Sequence, residues 1–399
     1  MKLYKYAYYI YLNYFWIISL SAILGIAFGA KQYLISILLP TVWFFLALYP
    51  RKFRRPNVYD LFILAILIID IVSWSLNDYH HKRELIFRHF MGPIAYMTVY
   101  FIGRNMNVND SYRLFKHSML PAAVIGVVGI YCFFSPPAWY LHNTSNLGFD
   151  SLRLRSIFPS PYTITYFTTF LLGYILFRFY QFGEYEKRYN YYIPVFAIVM
   201  LLGLMRTPIV AVGIFFTLSF LHFCIYKGRI GVFIRTMAGS LLILGTIIFV
   251  VGKTDAKYVE GISQKFEVLV DSKKNYVGKR FNLHKSDNTL FGDGAGRHNI
   301  WAESYGGRSM RDGEYQKMKQ ETGLVGQSIF IAFFLLLIIK CVFHFKYLPF
   351  ELSVLLFLLM SMIGAAPLST EDKHCFLFWL IMGRVASFKP NVRECLLSH

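Results

Sequence analysis

The stretch YDLFILAILIIDIVSWSL, residues 59–76, decides the fold class of this chain. Its only charged residues are Asp60 and Asp70, and a run of about 20 apolar residues is long enough to cross a lipid bilayer as an α-helix. The whole chain has the same character, since 56% of its residues are hydrophobic and 19% are aromatic, more than globular domains contain. The sequence therefore predicts an all-α integral membrane protein.

Comparable apolar runs recur along the chain and predict about twelve transmembrane helices. They are Tyr8–Ala30, Tyr33–Tyr49, Tyr59–Leu76, Met91–Gly103, Ser118–Phe134, Tyr162–Tyr180, Tyr191–Met205, Thr207–Tyr226, Met237–Gly252, Gly323–Lys340, Leu348–Leu368 and Cys375–Phe388. No cleavable signal peptide is expected before the first run. The predicted organisation is transmembrane helices in residues 1–252, one large polar loop in residues 253–322, and further helices with a tail in residues 323–399.

Lysine and arginine in the short connections predict the orientation, because cytoplasmic loops carry the excess of positive charge. With the N-terminus in the cytoplasm, the cytoplasmic connections hold about 20 cations and the opposite connections about 8. Arg51, Arg54 and Arg55 form one such cytoplasmic group. Both termini are therefore expected in the cytoplasm, and the loop 253–322 on the outer face.

The net charge of +19 narrows the classes of function. Topology explains most of it, but the large outer loop holds about 13 cations for which the charge rule gives no reason. Nucleic acid is a poor partner for outer cations, whereas anionic lipid or a lipid-linked phosphate fits them. The sequence has no Walker loop of an ATP-driven pump, and its cysteines have no disulfide or zinc spacing.

The polar loop 253–322 is where chemistry is expected, because loops carry function when a rigid scaffold holds them. Its most distinctive segment is LFGDGAGRH, Leu290–His298. The glycines predict a tight backbone that could present N–H groups to an anion, although an ordinary turn has the same pattern.

Arginines on the outer face are candidates for binding a diphosphate, because the planar guanidinium binds phosphate oxygens bidentately and stays charged. Arg153 and Arg155 precede the sixth predicted helix, and Arg280 and Arg297 lie in the large loop. Arg206 stands alone in a tight turn between two apolar helices, where a single cation needs a reason. The competing interpretation is that these side chains extend to lipid headgroups at helix ends.

Asp70 lies midway along the third predicted helix, where a carboxylate is expected to face the bundle interior or a water-filled cavity. Pairing with a neighbouring helix is the favoured interpretation. His80, His81 and His89 could suggest a metal, but a wetted interfacial loop is the favoured interpretation of these three histidines.

Local patterns in the second half of the chain resemble the O-antigen polymerase and ligase superfamily of bacterial membrane glycosyltransferases. The patterns are Arg153–Pro161 before a helix, the turn Met205–Thr207, Arg280 followed by Leu290–Gly296, and Asp312–Gly326 at the end of the large loop. Ser160 stands where the family has Asn, and only Arg206 of the family's Ser-Arg-Gly turn is present. The resemblance covers residues 153–330 and the overall topology.

This resemblance implies a fold related to the lipid-carrier-dependent (GT-C-like) glycosyltransferases, in the bacterial inner membrane, with the large loop in the periplasm. It implies an undecaprenyl-diphosphate-linked oligosaccharide as donor and another as acceptor, with no nucleotide sugar, cofactor or required metal. A polysaccharide chain-length regulator is a further implied partner. Arg153, Arg155, Arg206, Arg280 and Arg297 would then neutralise the leaving diphosphate.

Asp312 discriminates between members of the superfamily, because ligases carry His at the matching position. The sequence therefore favours a polymerase, with Asp312, Glu314 and His298 as candidates for the base that deprotonates the acceptor hydroxyl. The alternatives are a ligase that uses lipid A-core as acceptor, a transporter or flippase for a lipid-linked glycan, and a non-catalytic scaffold.

The predicted orientation can be tested by cysteine labelling. A cysteine in the large loop, Asn275→Cys, should react with an impermeant thiol reagent added from outside, because that loop is expected on the outer face. A cysteine in a cytoplasmic connection, Asn57→Cys, should not react. The reverse pattern of labelling would contradict the orientation.

Overall fold

The computed structural model of the chain consists of helices and the turns between them throughout the part that it describes. The structure describes residues 2–28, 33–48, 55–137, 139–140, 154–158, 160–203, 205–228, 290–305, 313–364, 367–368 and 374–389, with single positions between 231 and 246. Most of the predicted helix Met237–Gly252 and most of the large polar loop lie outside these residues.

The helices follow the apolar runs of the sequence, because a helix pairs its own backbone N–H and C=O groups where no water can do so. In chain order they are α1 (Lys2–Leu12), α2 (Tyr14–Phe28), α3 (Tyr33–Leu48), α4 (Val58–Leu76), α5 (Lys82–Asn105), α6 (Val108–Phe134), α7 (Pro161–Phe182), α8 (Tyr189–Leu202), α9 (Arg206–Lys227), α10 (Glu314–Phe343), α11 (Pro349–Gly364) and α12 (Cys375–Ser387). A short 3₁₀ helix, Ile300–Tyr305, lies in the described part of the polar loop.

Among the described residues, 5 helices are long and apolar enough to cross a membrane, namely α4, α5, α6, α9 and α10. The pair α1 and α2 passes the same criterion together but is bent by 70°. Helices α8, α11 and α12 are apolar but shorter. The prediction of an all-α protein with apolar helices of membrane-spanning length is confirmed, and the number of spans, about twelve, stays a prediction.

Helices α4 and α5 are joined by ionic contacts, one of them near the start of α4. Asn57 caps α4 by accepting a hydrogen bond from the N–H of Asp60 at 3.2 Å, and the Asp60 carboxylate accepts from the N–H of Asn57 at 2.8 Å. Such a capping box satisfies N–H groups that the helix leaves open. Asp60 also pairs with Arg104 Nε of α5 at 2.6 Å, so this carboxylate ties the two helices together.

Helices α5 and α12 approach each other at two glycines. A Cβ atom built on Gly383 would overlap the carbonyl oxygen of Tyr100, and one built on Gly103 would overlap that of Leu380. Only glycine permits helix backbones to come this close, which is the packing that small residues provide inside membranes. This contact fixes α12 against α5.

Both α5 and α10 contain a local irregularity that bears on the functional site. Residues Phe90–Ile94 of α5 form a π-helical turn that contains Pro93, and such turns are frequent at functional sites. Helix α10 begins at Glu314, before the predicted start at Gly323, and is kinked where Gly323 has φ 69° and ψ −168°. A Cβ atom there would overlap the carbonyl oxygen of Leu290, so only glycine fits.

The glycine contact between α5 and α12 predicts a loss of stability on substitution. Gly383→Ala should destabilise the protein by about 1–3 kcal/mol or more, because the methyl group overpacks the helix contact. Thermal unfolding of the detergent-purified protein measures this effect. Gly213→Ala in α9 is the matched control, since a Cβ atom at Gly213 meets nothing within 4 Å. Equal unfolding temperatures for the two variants would contradict the close contact.

Candidate functional site

A cavity of about 60 Å³ lies between α4, α5, α10 and α12. Most of its wall is apolar, with Pro93, Phe330 and Trp379 among the lining residues. Its polar lining comes from Asp70, His89, Glu314, Glu321 and Thr322. Ionisable side chains gathered around one small cavity inside an apolar bundle mark a candidate functional site.

Asp70 and His89 are hydrogen-bonded to each other in this cavity. The Asp70 Oδ2 atom lies 3.3 Å from His89 Nε2, and each residue is 6% exposed. An ionised carboxylate can only accept hydrogen bonds, so His89 Nε2 carries the proton of this contact. In that tautomer Nδ1 holds a lone pair, and it has no hydrogen-bond partner among the described residues.

Glu314 is the first residue of α10, and its side chain is fully buried in the cavity wall. Its Oε2 atom accepts a hydrogen bond from the N–H of Leu368 at 2.9 Å. A carboxylate is favoured in the first turn of a helix, where the helix dipole is positive. These two effects hold Glu314 in position without bringing it to the protein surface.

Glu321 connects the cavity to the segment above it. It is 4% exposed, and its Oε1 atom accepts a hydrogen bond from the N–H of His298 at 2.9 Å. Burial and the Glu321 carboxylate raise the pKa of the nearby Tyr79 phenol above its ordinary value, whereas the Arg297 guanidinium lowers this pKa. Glu321 therefore faces both the cavity and the Gly-rich segment.

The Gly-rich segment, residues 290–299, lies across the ends of α4 and α5. Trp74 Nε1 donates a hydrogen bond to the carbonyl oxygen of Ala295 at 2.7 Å, and Asn77 Nδ2 donates to that of Gly292 at 2.9 Å. Gly296 has φ 80°, and a Cβ atom there would lie 2.9 Å from Cβ of His89. Glycine thus lets this segment rest directly on His89.

The backbone N–H groups of this segment are directed at the protein. Asp293 donates to the carbonyl oxygen of Gln320 at 2.6 Å, and Gly294 donates to that of Glu321 at 3.2 Å. The N–H of His298 is used by the Glu321 carboxylate. These three N–H groups are therefore occupied in holding the segment on α10, so they cannot also bind an anion.

Three of the predicted site residues come together around the cavity. Glu314 lines it, and His298 and Arg297 lie in the segment above it. The His298 Nε2 atom is 3.4 Å from Asp293 Oδ2, and the Arg297 guanidinium lies 5.6 Å from the centre of the Tyr79 ring. The described contacts of both side chains are thus with their own segment and with Tyr79, which follows the end of α4.

Arg155 lies in a different environment. It is buried, its guanidinium stacks 4.7 Å from the centre of the Tyr140 ring, and it donates a hydrogen bond to the Tyr140 carbonyl oxygen. These contacts fix local structure before α7, and none of its described contacts reaches the cavity. Helix α9 begins at Arg206, which confirms the predicted tight turn after α8, but the description does not extend to this side chain. Arg153, Arg280 and Asp312 lie outside the described residues.

Two of the cavity residues, His89 and Glu321, were not identified as site residues from the sequence. The interpretation of His89 as part of a wetted loop is wrong, because His89 is buried in α5. The charged neighbours Lys82, Arg83 and Arg88 are typical of an exposed stretch. Leu85 and His89, however, are spaced by one helical turn, as residues on the buried face of a helix are. The expected pairing of Asp70 with a neighbouring helix is confirmed. Glu321 lies within the pattern Asp312–Gly326 that carries the resemblance, but it was not among the predicted site residues.

The donor groups of the cavity suit hydrogen bonding and proton transfer. Within the described residues, no group of three or more His, Cys, Asp or Glu side chains is placed to hold a metal ion. A carboxylate held in an apolar wall beside an imidazole is the arrangement that general acid–base chemistry uses.

Comparison with known proteins found no relative, so the function is inferred from the residues of this chain. No protein-family model matches the chain, no curated protein matches it, and no solved structure matches it.

Proposed function

We propose that this protein is a membrane glycosyltransferase that acts as an O-antigen polymerase. It joins repeat units carried on undecaprenyl diphosphate at the periplasmic face of the bacterial inner membrane. The observation that carries the proposal is the buried Glu314 carboxylate, held in a cavity beneath the Gly-rich segment. The proposed topology has about twelve spans, both termini in the cytoplasm, a GT-C-like arrangement and residues 253–322 in the periplasm.

Glu314 is the proposed base of the reaction. As the acceptor hydroxyl oxygen bonds to the glycosyl carbon of the donor outside the cavity, its proton moves through one water molecule to the buried Glu314 carboxylate. The bond from that carbon to the diphosphate breaks, and the electron pair stays on the diphosphate oxygen. The hydrogen bond from the Leu368 N–H fixes the carboxylate orientation, and a positioned base contributes about 100- to 10,000-fold to a rate.

The leaving diphosphate requires cations, since preorganised positive charge stabilises the charge that develops on it. Arg297 is the proposed cation of the described site, because it lies on the Gly-rich segment close to Tyr79 and Glu321. Arg153, Arg206 and Arg280 remain proposed partners from the sequence pattern. Arg155 is the exception, because its contact with Tyr140 holds the chain in place before α7. The donor and acceptor glycans and a chain-length regulator are the proposed partners.

A lipid-linked glycan transporter is a second candidate, and the Asp70–His89 pair favours it. Paired ionisable groups within membrane-length helices are typical of proton relays in transporters. The polymerase is preferred because Glu314 and the Gly-rich segment concentrate polar groups at one end of the bundle. A ligase would share the donor site and differ in its acceptor.

Deletion of the gene distinguishes these functions. Loss of a polymerase should leave lipid A-core with one repeat unit, because ligation to core uses a separate enzyme. Loss of a ligase should instead leave bare core with polymer on the lipid carrier, and loss of the transporter should leave bare core without polymer. Gel electrophoresis of lipopolysaccharide, with extraction of the lipid carrier, separates these outcomes. Either bare-core result contradicts the polymerase.

Removal of the proposed base tests the site itself. Glu314→Gln should lower polymer formation by about 100-fold or more while the protein still accumulates in the membrane, because the amide cannot accept the proton. Polymer ladders and membrane abundance are measured together. Glu84→Gln is the control, since Glu84 is an exposed carboxylate near the start of α5. Wild-type ladders from Glu314→Gln would remove this carboxylate from the site.

A further inference from the structure

Three carboxyl side chains and one imidazole share a small cavity. Asp70, Glu314 and Glu321 all line a space of about 60 Å³. Carboxylates that share one buried site cannot all be ionised unless cations or protons compensate for them. A space of this volume has room for a few water molecules but not for a sugar ring. Water molecules fit in this cavity, and they can carry protons between the side chains that line it.

The titratable and charged groups around the cavity come from α4, α5, α10 and the Gly-rich segment, whereas α12 contributes the uncharged Trp379. They are Asp70 from α4, His89 from α5, Glu314, Lys317 and Glu321 from α10, and Asp293, Arg297 and His298 from the Gly-rich segment. Among the residues that line the cavity, His89 has the side chain that ordinarily changes its charge near neutral pH. His298 is also an imidazole, but its side chain is paired with Asp293 outside the cavity lining.

We propose that His89, positioned by Asp70, is the proton acceptor that serves Glu314 through this cavity. This inference rests on the proposed glycosyl transfer, and it assigns a role to an intramembrane pair that the transfer itself does not explain. Glu314 receives the proton of the acceptor hydroxyl, and a water in the cavity passes a proton on to Nδ1 of His89. Once the products leave, the proton returns along the same path to the outer water.

The geometry of the pair suits this role. Asp70 accepts from Nε2 at 3.3 Å, which leaves the lone pair of the ring on Nδ1. When Nδ1 takes up a proton, the imidazolium that forms lies beside the Asp70 carboxylate, so the new charge is compensated within the pair. A buried carboxylate that orients a histidine and stabilises its protonated form has this function in hydrolase triads.

The position of Asp70 and His89 within their helices also suits the role of proton acceptor. Asp70 is about 9 Å from the outer end of α4, and His89 is about 10 Å from the start of α5, at 1.5 Å per helical residue. Gly296 rests on the Cβ atom of His89, so the Gly-rich segment covers this residue, which is 6% exposed. A proton on His89 is therefore separated from outer water except through the cavity that Glu314 lines.

The test measures the rate of polymer formation against pH with purified full-length protein. The substrate is the lipid-linked repeat unit extracted from the deletion strain, and rates are compared from about pH 5 to 8, the range in which histidine titrates. The wild-type rate should fall toward the acid end, because a protonated His89 can no longer accept. His89→Gln should be slower by about 100-fold and should lose this acid limb. Asp70→Asn should slow the reaction in the same direction and alter the limb.

Matched controls come from the neighbouring loop, where His80 and Asp78 are exposed. His80→Gln and Asp78→Asn should keep the wild-type rate and pH profile. If His89→Gln does not accumulate in the membrane, Asp70→Asn carries the test, because the amide preserves the shape of the side chain. An unchanged pH profile in either cavity variant, or a wild-type rate that is flat across this range, would falsify the role of the pair.

Failure of the proposed function gives a different result from failure of the pair. If the wild-type protein forms no polymer from the extracted donor at any pH, the glycosyl transfer fails, and the proton acceptor fails with it. If the wild type forms polymer and His89→Gln retains the acid limb at a uniformly lower rate, the transfer stands and His89 is only structural.

Discussion

Burial of carboxylates in an apolar helix bundle is the constraint on which this structure depends. An ionised group without water needs hydrogen bonds, an opposite charge or a proton, since its desolvation costs several kcal/mol. Asp60 meets this need with Arg104, and Asp70 meets it with His89. Each of these contacts joins α4 to α5, so the requirement to compensate charge also sets how the helices pair.

The same constraint explains the position of the Gly-rich segment. Glu321 obtains a hydrogen bond from the His298 N–H only because the segment reaches down to α10. The segment can do so because Gly292 has no side chain, and a Cβ atom there would overlap the backbone of Gln320 and Glu321. A glycine pattern that resembles a phosphate-binding turn is here explained by close packing over buried acids.

The sequence was sufficient to predict the helices, because an apolar run such as residues 59–76 has few alternatives in a membrane. It was also sufficient to predict that Asp70 would have a partner, since a mid-helix carboxylate must face the protein interior. It did not identify His89 as that partner. The charged residues around His89 indicate a surface, and the π-helical turn at Phe90–Ile94 shifts the helical phase after it.

The candidate site was predictable only in part, because contacts between residues far apart in sequence are not apparent from sequence patterns. Glu314 was a candidate because of its motif, yet its meeting with Asp70 and His89 depends on contacts between residues far apart in sequence. Arg155 fits a diphosphate-binding pattern, but its aromatic neighbour Tyr140 is not apparent from that pattern. Residue type predicted the chemistry, whereas the packing of helices determined which groups share a space.

The close backbone contact between α5 and α12 has a mechanical consequence. Gly103 and Gly383 bring these helices so close that an acyl chain has no space between them, and Asp60 and Arg104 join α4 to the same unit. Three walls of the cavity therefore behave as one rigid frame. The fourth wall, Glu314–Thr322, is set off from the rest of α10 by the break at Gly323 and is bonded to the Gly-rich segment. The proposed base therefore lies on the part of α10 whose position depends on the Gly-rich segment rather than on a continuous helix.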